Sequence, residues 1–493
     1  MSAIIIPFQP PLPQVLPTVV GNVDYLDFRD QLSLIDHLLI DSGLESGLIS
    51  ADLKLWAAQS KLTGARAQQK RQIHTRRALR CNIARLLLKE HYRPFAARLA
   101  DSPLLQSFCG ISEMDRIKVP SKSTLQRYDE WWPEAKVREA VEQLLCLGAR
   151  CPGQLGLAEP VDLESVFMDT TCVEANIHYP VDWVLLRDAT RTLMKSVGLI
   201  REQGLKRRME EPERFITRIN GLCIQMTHAW NKSDSARQRK KTLRQMDRVV
   251  GSVRAHARRY RDLLDHRWKE TEWTRPQAEQ VLRRMDQVLE QLPKAREQAR
   301  QRILKEKQVP NEEKILSLYE ADVHVIVRRK AGAEVEFGNT LFLAENSLGL
   351  ILDWELFQAS APADTVLLPR SVGRMERAYG PKLKAVAADR GFDSQTNQRG
   401  LKDEHIYNAV CPRDPKELER RVSSSKFKRL QRRRAQTEAR IAIMKNVFWS
   451  GRVRSKGFVH RQLTVTWTVL VHNLWVLARL KQRNAKAVEC RAA

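Results

Sequence analysis

Three acidic residues stand where an unpaired charge is expensive. Asp169 follows the apolar Val166, Phe167 and Met168, and Asp389 follows Val386, Ala387 and Ala388. Burying a carboxylate without a partner is strongly unfavourable, and strand ends of open α/β sheets are where ligands bind. Both aspartates therefore read as residues at or near the end of an apolar strand. Glu438 lies in the run QRRRAQTEARIAIMK, where Gln431, Arg434, Glu438 and Lys445 share one narrow helix stripe. An acid flanked on its own face by two cations suits a site that takes a metal ion and a phosphate together. Three carboxylates, with waters and substrate phosphates completing the shell, match the coordination Mg²⁺ prefers. Two such ions about 4 Å apart can activate an attacking oxygen and stabilise a leaving one in phosphodiester displacement. Each residue alone has a plainer reading. A strand-end Asp is often a turn residue, and Arg434 with Glu438 is often a surface pair worth about 0.5 kcal/mol. Their order, spacing and sheet context together favour the chemical reading.

These residues need a sheet and a helix to hold them. Residues 161–172 form a β-rich apolar stretch, and strand patterns return at 323–327, 335–344 and 348–358, with 346–349 as a turn. Residues 365–379 read as helix, 384–388 as a short buried strand, 406–411 as another strand and 426–447 as a long basic helix. Between the first strand and the others, residues 182–311 are helical and heavily charged. Leu243, Met246, Val250, Val253, Ala257, Tyr260 and Leu264 hold one helix face; Val281, Met285, Val288, Leu289 and Leu292 hold another. The order predicts an α/β fold, a mixed sheet interrupted by an all-helical module. Residues up to about 150 also read as helical. Pro94 opens a short helix over 95–100, and Ser121 offers an N-cap before a second over 123–132. Leu125, Tyr128 and Trp132 face a core from that second helix. The pair resembles a helix-turn-helix, with Lys122, Ser123, Gln126 and Arg127 as candidates for reading bases. A plain small helical domain fits the same pattern equally well.

Composition narrows the partner. The 493 residues include 84 Lys plus Arg against 58 Asp plus Glu, a net charge of +26. That length suits two or three domains, and 43% hydrophobic with 29% charged residues indicates a folded protein. The surplus argues for a polyanion, nucleic acid or an anionic membrane, and against a small-metabolite enzyme. Residues 1–20 are apolar and proline-rich but lack a basic leader, so no secretory signal is expected. Residues 463–480 are the one membrane candidate; Thr464, Thr466, Thr468, His472 and Asn473 make a buried helix the better reading. The eight cysteines are scattered, and the closest pair, Cys146 and Cys151, matches neither a zinc nor a redox motif. Reduced cysteines and a cytoplasmic, nucleoid-associated location are expected. Residues 413–445 carry twelve Lys or Arg against four Asp or Glu, a local +8 around Glu438.

Three blocks together resemble the DDE transposases of bacterial insertion sequences. Met168-Asp169-Thr170-Thr171, followed by Glu174-Ala175-Asn176-Ile177-His178-Tyr179-Pro180, looks like the first-aspartate block. Ala388-Asp389-Arg390-Gly391-Phe392 looks like the second. Arg434, Glu438 and Lys445 keep the spacing of the family's Tyr-Arg-Glu-Lys signature, with Gln431 in the tyrosine's place. HYRPFAARLADSPLL and VPSKSTLQRY resemble the family's element-binding helical segment, so the likeness covers most of the chain. Glu174 and His178 lie near the first aspartate and read as structural.

The resemblance implies a ribonuclease-H-like mixed sheet interrupted by a large all-helical insertion and preceded by an all-α DNA-binding region. Its divisions would be an N-terminal arm with short helices (1–60), a helix-turn-helix-like DNA-binding region (61–150), the catalytic core (151–182 and 312–450), the insertion (183–311) and a C-terminal helix and tail (451–493). It further implies that Asp169, Asp389 and Glu438 bind two Mg²⁺ ions, with Mn²⁺ as a substitute, and that Arg434 and Lys445 contact DNA phosphates. The activity would be cleavage at terminal inverted repeats and joining of 3′-OH ends to target DNA, by a dimer or larger assembly on double-stranded DNA and without a membrane. The alternatives are an inactive DNA-binding protein derived from a transposase and a nuclease of the same superfold.

Overall fold

The computed structural model describes residues 7–8, 16–59, 64–113, 116–229, 235–330, 333–380 and 382–492, so most of the proline-rich arm lies outside the described residues. Helices α1 (Val23–Asp41) and α2 (Leu44–Gln59) have 19 and 16 residues, longer than the short helices expected there. They pack on α3 (Ala65–Leu87), whose Arg80 is buried and pairs with Asp36 and Glu45. The two helices expected as a helix-turn-helix pair are α4 (Tyr92–Asp101) and α6 (Lys122–Asp129). They are not consecutive: α5 (Pro103–Cys109) and a small hairpin of β1 (Ser112–Glu113) and β2 (Arg116–Ile117) separate them. Ser121 does cap α6, its Oγ accepting from the Thr124 N–H at 3.2 Å. Trp132 falls beyond that helix and is buried edge-on against Trp467. Helix α7 (Glu134–Arg150) closes the region.

Strand β3 (Ser165–Glu174) is the centre of the main sheet. Its Phe167, Met168, Cys172 and Val173 are buried, as expected of a strand covered on both faces. The chain then leaves the sheet for α8 (Asp182–Glu202), α9 (Pro212–His228), α10 (Ser235–Arg267) and α11 (Arg275–Ala299). These four form a bundle with its own core, into which the two predicted apolar stripes point. Asp182 at its base accepts from Gln298 and pairs with Arg302.

The chain returns through β4 (His324–Lys330), β5 (Ala333–Glu345) and β6 (Ile351–Leu356). One edge of β5 pairs antiparallel with β3, from Phe167↔Glu345 to Glu174↔Gly338. Its other edge carries β4 along the first half and β6 along the second. In the turn before β6, the Asn346 side-chain oxygen accepts from the Leu348 and Leu350 N–H groups, and Gly349 takes a φ of 86°. Helix α12 (Asp364–Tyr379), β7 (Ala385–Ala387), α13 (Gln395–Asp403) and β8 (Tyr407–Asn408) follow. Both β7 and β8 extend the sheet in parallel from β3. Helices α14 (Pro415–Val422) and α15 (Ser425–Ala442) come next, and a π-helical turn over Ile443–Phe448 ends the expected basic helix. The chain is thus mixed α/β, with a helical majority around one mixed sheet.

Helix α16 (Phe458–Ala492) runs through the centre. One hydrophobic core, from Leu16 to Ala478, joins the N-terminal helices to the sheet across it. Several of its buried polar groups pair across elements. The Trp467 indole donates to the Asp129 carbonyl, the Trp354 indole donates to Thr466, and the Asn473 amide exchanges two bonds with the Ile351 backbone. By length and composition, α16 is the one helix among the described residues able to cross a membrane. Here 78% of its apolar window is buried inside the protein. Cys81, Cys109, Cys146, Cys151, Cys172, Cys223 and Cys411 are free thiols.

Candidate active site

Helix α15 lies across β3, β7 and β8 with Phe427 buried against Phe167, Ala387 and Ala409. One turn on, Gln431 Nε2 donates to the carbonyls of Ala388 and Ala409, which follow β7 and β8. On the adjoining face, Arg433, Thr437 and Arg440 all reach Glu345, a fully buried acid at the end of β5. Arg433 also stacks on the Phe167 ring. These contacts fix the rotation of α15 and turn Arg434 and Glu438 towards β3.

Asp169 sits in the middle of β3, not at its end, because Thr170 to Glu174 continue in register with β5. Arg434 bridges it to Glu438, with N–O separations of 3.7 Å to each carboxylate. The Arg434 Nε is buried and makes no hydrogen bond among the described residues. Burial raises the Asp169 pKa from 3.8 to about 6, and the charges of Asp389 and Glu438 push the same way. The Thr170 N–H and Arg434 pull against them. Asp389 follows β7 and accepts from the Gly391 N–H at 2.8 Å. A Cβ on Gly391 would fall 2.6 Å from an Asp364 oxygen and 3.0 Å from Asp389, so two carboxylates close on that backbone. The structure therefore gathers Asp169, Asp389, Arg434 and Glu438 at one place.

The other expected residues sit elsewhere. Lys445, in the π-helical turn, pairs with Glu336 on β5 at 3.4 Å. Eleven residues of helix put it about 16 Å along the axis from Arg434. Lys122, Ser123, Gln126 and Arg127 are exposed on α6, and Arg127 folds back onto the Ser123 carbonyl and the Thr124 hydroxyl. Part of the 413–445 surplus is structural: Arg433 and Arg440 hold Glu345, and Arg420 and Arg421 hold Glu417. Glu174 pairs with Arg452. Sequence reasoning missed Glu345 and Asp364. An acid beside a strand-end turn opposite a run of arginines is the one signal for Glu345; Asp364 has none.

Donor chemistry suits a divalent cation, since carboxylate oxygens are the hard donors such ions take and a cation would relieve the cost of ionising the buried Asp169. Among the described residues, no three His, Cys, Asp or Glu side chains stand close enough to hold an ion as they are placed. Arg434 occupies part of the space between two of them.

Residues 339–474 match the family model of the transposase DDE domain. The chain carries a transposase DDE domain. That DDE domain takes in most of β5, the Asp389 and Glu438 blocks, Gln431, Arg434, Lys445 and the first half of α16. Asp169 and the four-helix insertion precede it. No curated protein and no solved structure matches the chain.

Proposed function

We propose that this protein is a DNA transposase that binds the terminal inverted repeats of its element, cuts there and joins the freed 3′-OH ends to target DNA. The observation that carries this reading is the meeting of Asp169, Asp389, Arg434 and Glu438 from three separated blocks, in a chain with a transposase DDE domain. The strand order β6-β5-β3-β7-β8, antiparallel through β3 and parallel beyond it, supports a ribonuclease-H-like core. Asp169, Asp389 and Glu438 would hold two Mg²⁺ or Mn²⁺ ions. Bound there, such ions supply Lewis-acid activation of the attacking oxygen and stabilise the leaving one.

The protein's own residues position and select. Asp169 keeps a proton up to about pH 6, so cation binding and proton release are coupled at that carboxyl. The Gly391 N–H fixes the Asp389 carboxylate. Gln431, where the resembled signature has Tyr, ties α15 to the strand ends that carry Asp389. The Arg434 terminal nitrogens, 3.7 Å from Asp169 and Glu438, would turn to a phosphate oxygen, a contact that guanidinium geometry favours. Lys445, farther along the helix, would meet a more distant phosphate. On this reading residues 61–150 bind element ends, 151–182 with 312–450 catalyse, 183–311 form the insertion, 451–493 the closing helix, and a cytoplasmic dimer or larger assembly acts on double-stranded DNA.

The test offers the protein the DNA flanking its own coding region with Mg²⁺. Wild type should nick at the repeats and transfer strands, while Asp389→Asn should bind and not cut. Equal nicking by both would remove the enzyme reading and leave an inactive DNA binder. Cutting without joining would indicate a nuclease.

A further inference from the structure

A cavity of about 700 Å³ opens between the N-terminal helices and the segment that follows the π-helical turn of the DDE domain. Three stretches far apart in sequence line it, and each contributes cations: Lys89 after α3 with Arg93 in the first turn of α4, Lys122 at the start of α6, and Arg454 with Lys456 before α16. All five are exposed. The acids on the same walls are already engaged: Glu90 with Arg98, Asp129 with Arg85 and Tyr92, and Glu130 with His460. Among the described residues, the five cations have no carboxylate partner, so the cavity keeps a concentrated positive field.

One further observation agrees. His91, on the same wall, has its pKa lowered by burial and then by Arg454 and Arg85, which shows that cations from opposite sides face one space.

The cations come from three separate stretches of the cavity wall, which suits an extended polyanion better than a single phosphate. The cavity is concave and lies between two parts of the protein, unlike the apolar-faced surfaces that enter membranes. We propose that this cleft holds the sugar-phosphate backbone of duplex DNA as it passes from α6 towards the catalytic helix. The proposal rests on the transposase reading, and it gives the loop before α16 a direct part in binding DNA.

The test measures binding of a fluorescein-labelled duplex, several helical turns long and of arbitrary sequence, by anisotropy over a series of salt concentrations. The full chain carrying Arg93→Glu, Arg454→Glu and Lys456→Glu is compared with one carrying Lys206→Glu, Arg208→Glu and Lys269→Glu, which changes net charge equally on the exposed insertion surface. Losing three phosphate contacts should flatten the log–log salt dependence by about 2.7, at about 0.9 for each contact. The comparison chain should keep the wild-type slope. The triple Gln version, gentler on folding, should shift the same way, and His91 should titrate higher once Arg454 is replaced. If cleft and comparison variants behave alike while wild type binds and nicks, the cleft assignment fails and the transposase reading stands. If wild type neither binds duplex nor nicks, both fail. Cleft-dependent binding to anionic vesicles in place of DNA would also overturn it.

Discussion

Replacing Asp169 with asparagine keeps the shape of the side chain and removes its ionisation. In the folded protein the carboxyl, buried and facing Asp389 and Glu438, loses its proton near pH 6; in the unfolded chain it does so near 3.8. The protonated form therefore contributes stability that is complete below pH 3.8, declines as pH rises to 6 and is gone above it. The size is (6 − 3.8) times about 1.36 kcal/mol, or about 3 kcal/mol. Asn has no proton to lose in either state. Asp169→Asn should thus be more stable than wild type by about 3 kcal/mol above pH 7 and by about half that at pH 5. Urea unfolding followed by tryptophan fluorescence at the two pH values measures the gap, and nicking should be lost at both. Added Mg²⁺ should narrow the gap at pH 8, because a cation favours the ionised carboxylate of wild type alone. Equal urea midpoints at pH 8, or a gap that fails to widen from pH 5 to pH 8, would refute the account of Asp169.

Gln431→Leu takes the side-chain donor from the Ala409 carbonyl and leaves Ala388 with the Cys411 N–H alone, at a cost of about 1–3 kcal/mol. The measured outcome should be a lower urea midpoint together with a fall in nicking larger than the fall in DNA affinity. Glu345→Gln removes the charge shared by Arg433 and Arg440 in a fully buried setting. A loss of about 3–5 kcal/mol in unfolding free energy is expected, and a change under 1 kcal/mol by the same titration would mean that α15 is held some other way.

What is legible in the sequence is local. Apolar runs mark β3, β5 and β7, the 3.6-residue period marks α10 and α11, and the Arg434–Glu438 spacing marks one face of α15. What escapes is set by partners far along the chain. Asp169 reads as a strand end because polar threonines follow it, yet β5 supplies register partners as far as Glu174. The strand expected over 348–358 starts only at Ile351, because Asn346 draws the Leu348 and Leu350 N–H groups into its turn. Glu345 finds Arg433 and Arg440 at separations of 88 and 95 residues, and Lys445 finds Glu336 at 109. No short pattern encodes those pairings. The α4–α6 pair reads as a two-helix motif because α5 and its hairpin are too short to show a period.

Helix α16 gives the chain an order of assembly. The four-helix insertion holds its core within residues 185–318 and can consolidate as soon as that stretch has been synthesised. The central core cannot, because Trp467, Asn473 and their neighbours are made after every group they pack against. Until they arrive, the basic helices that carry Lys122 and the sheet that carries Asp169 both lack a wall. Their maturation is therefore simultaneous: a nascent chain gains its α6 surface and its carboxylate cluster in one late event. A nonsense mutation just ahead of α16 should yield neither a partial binder nor a partial nuclease.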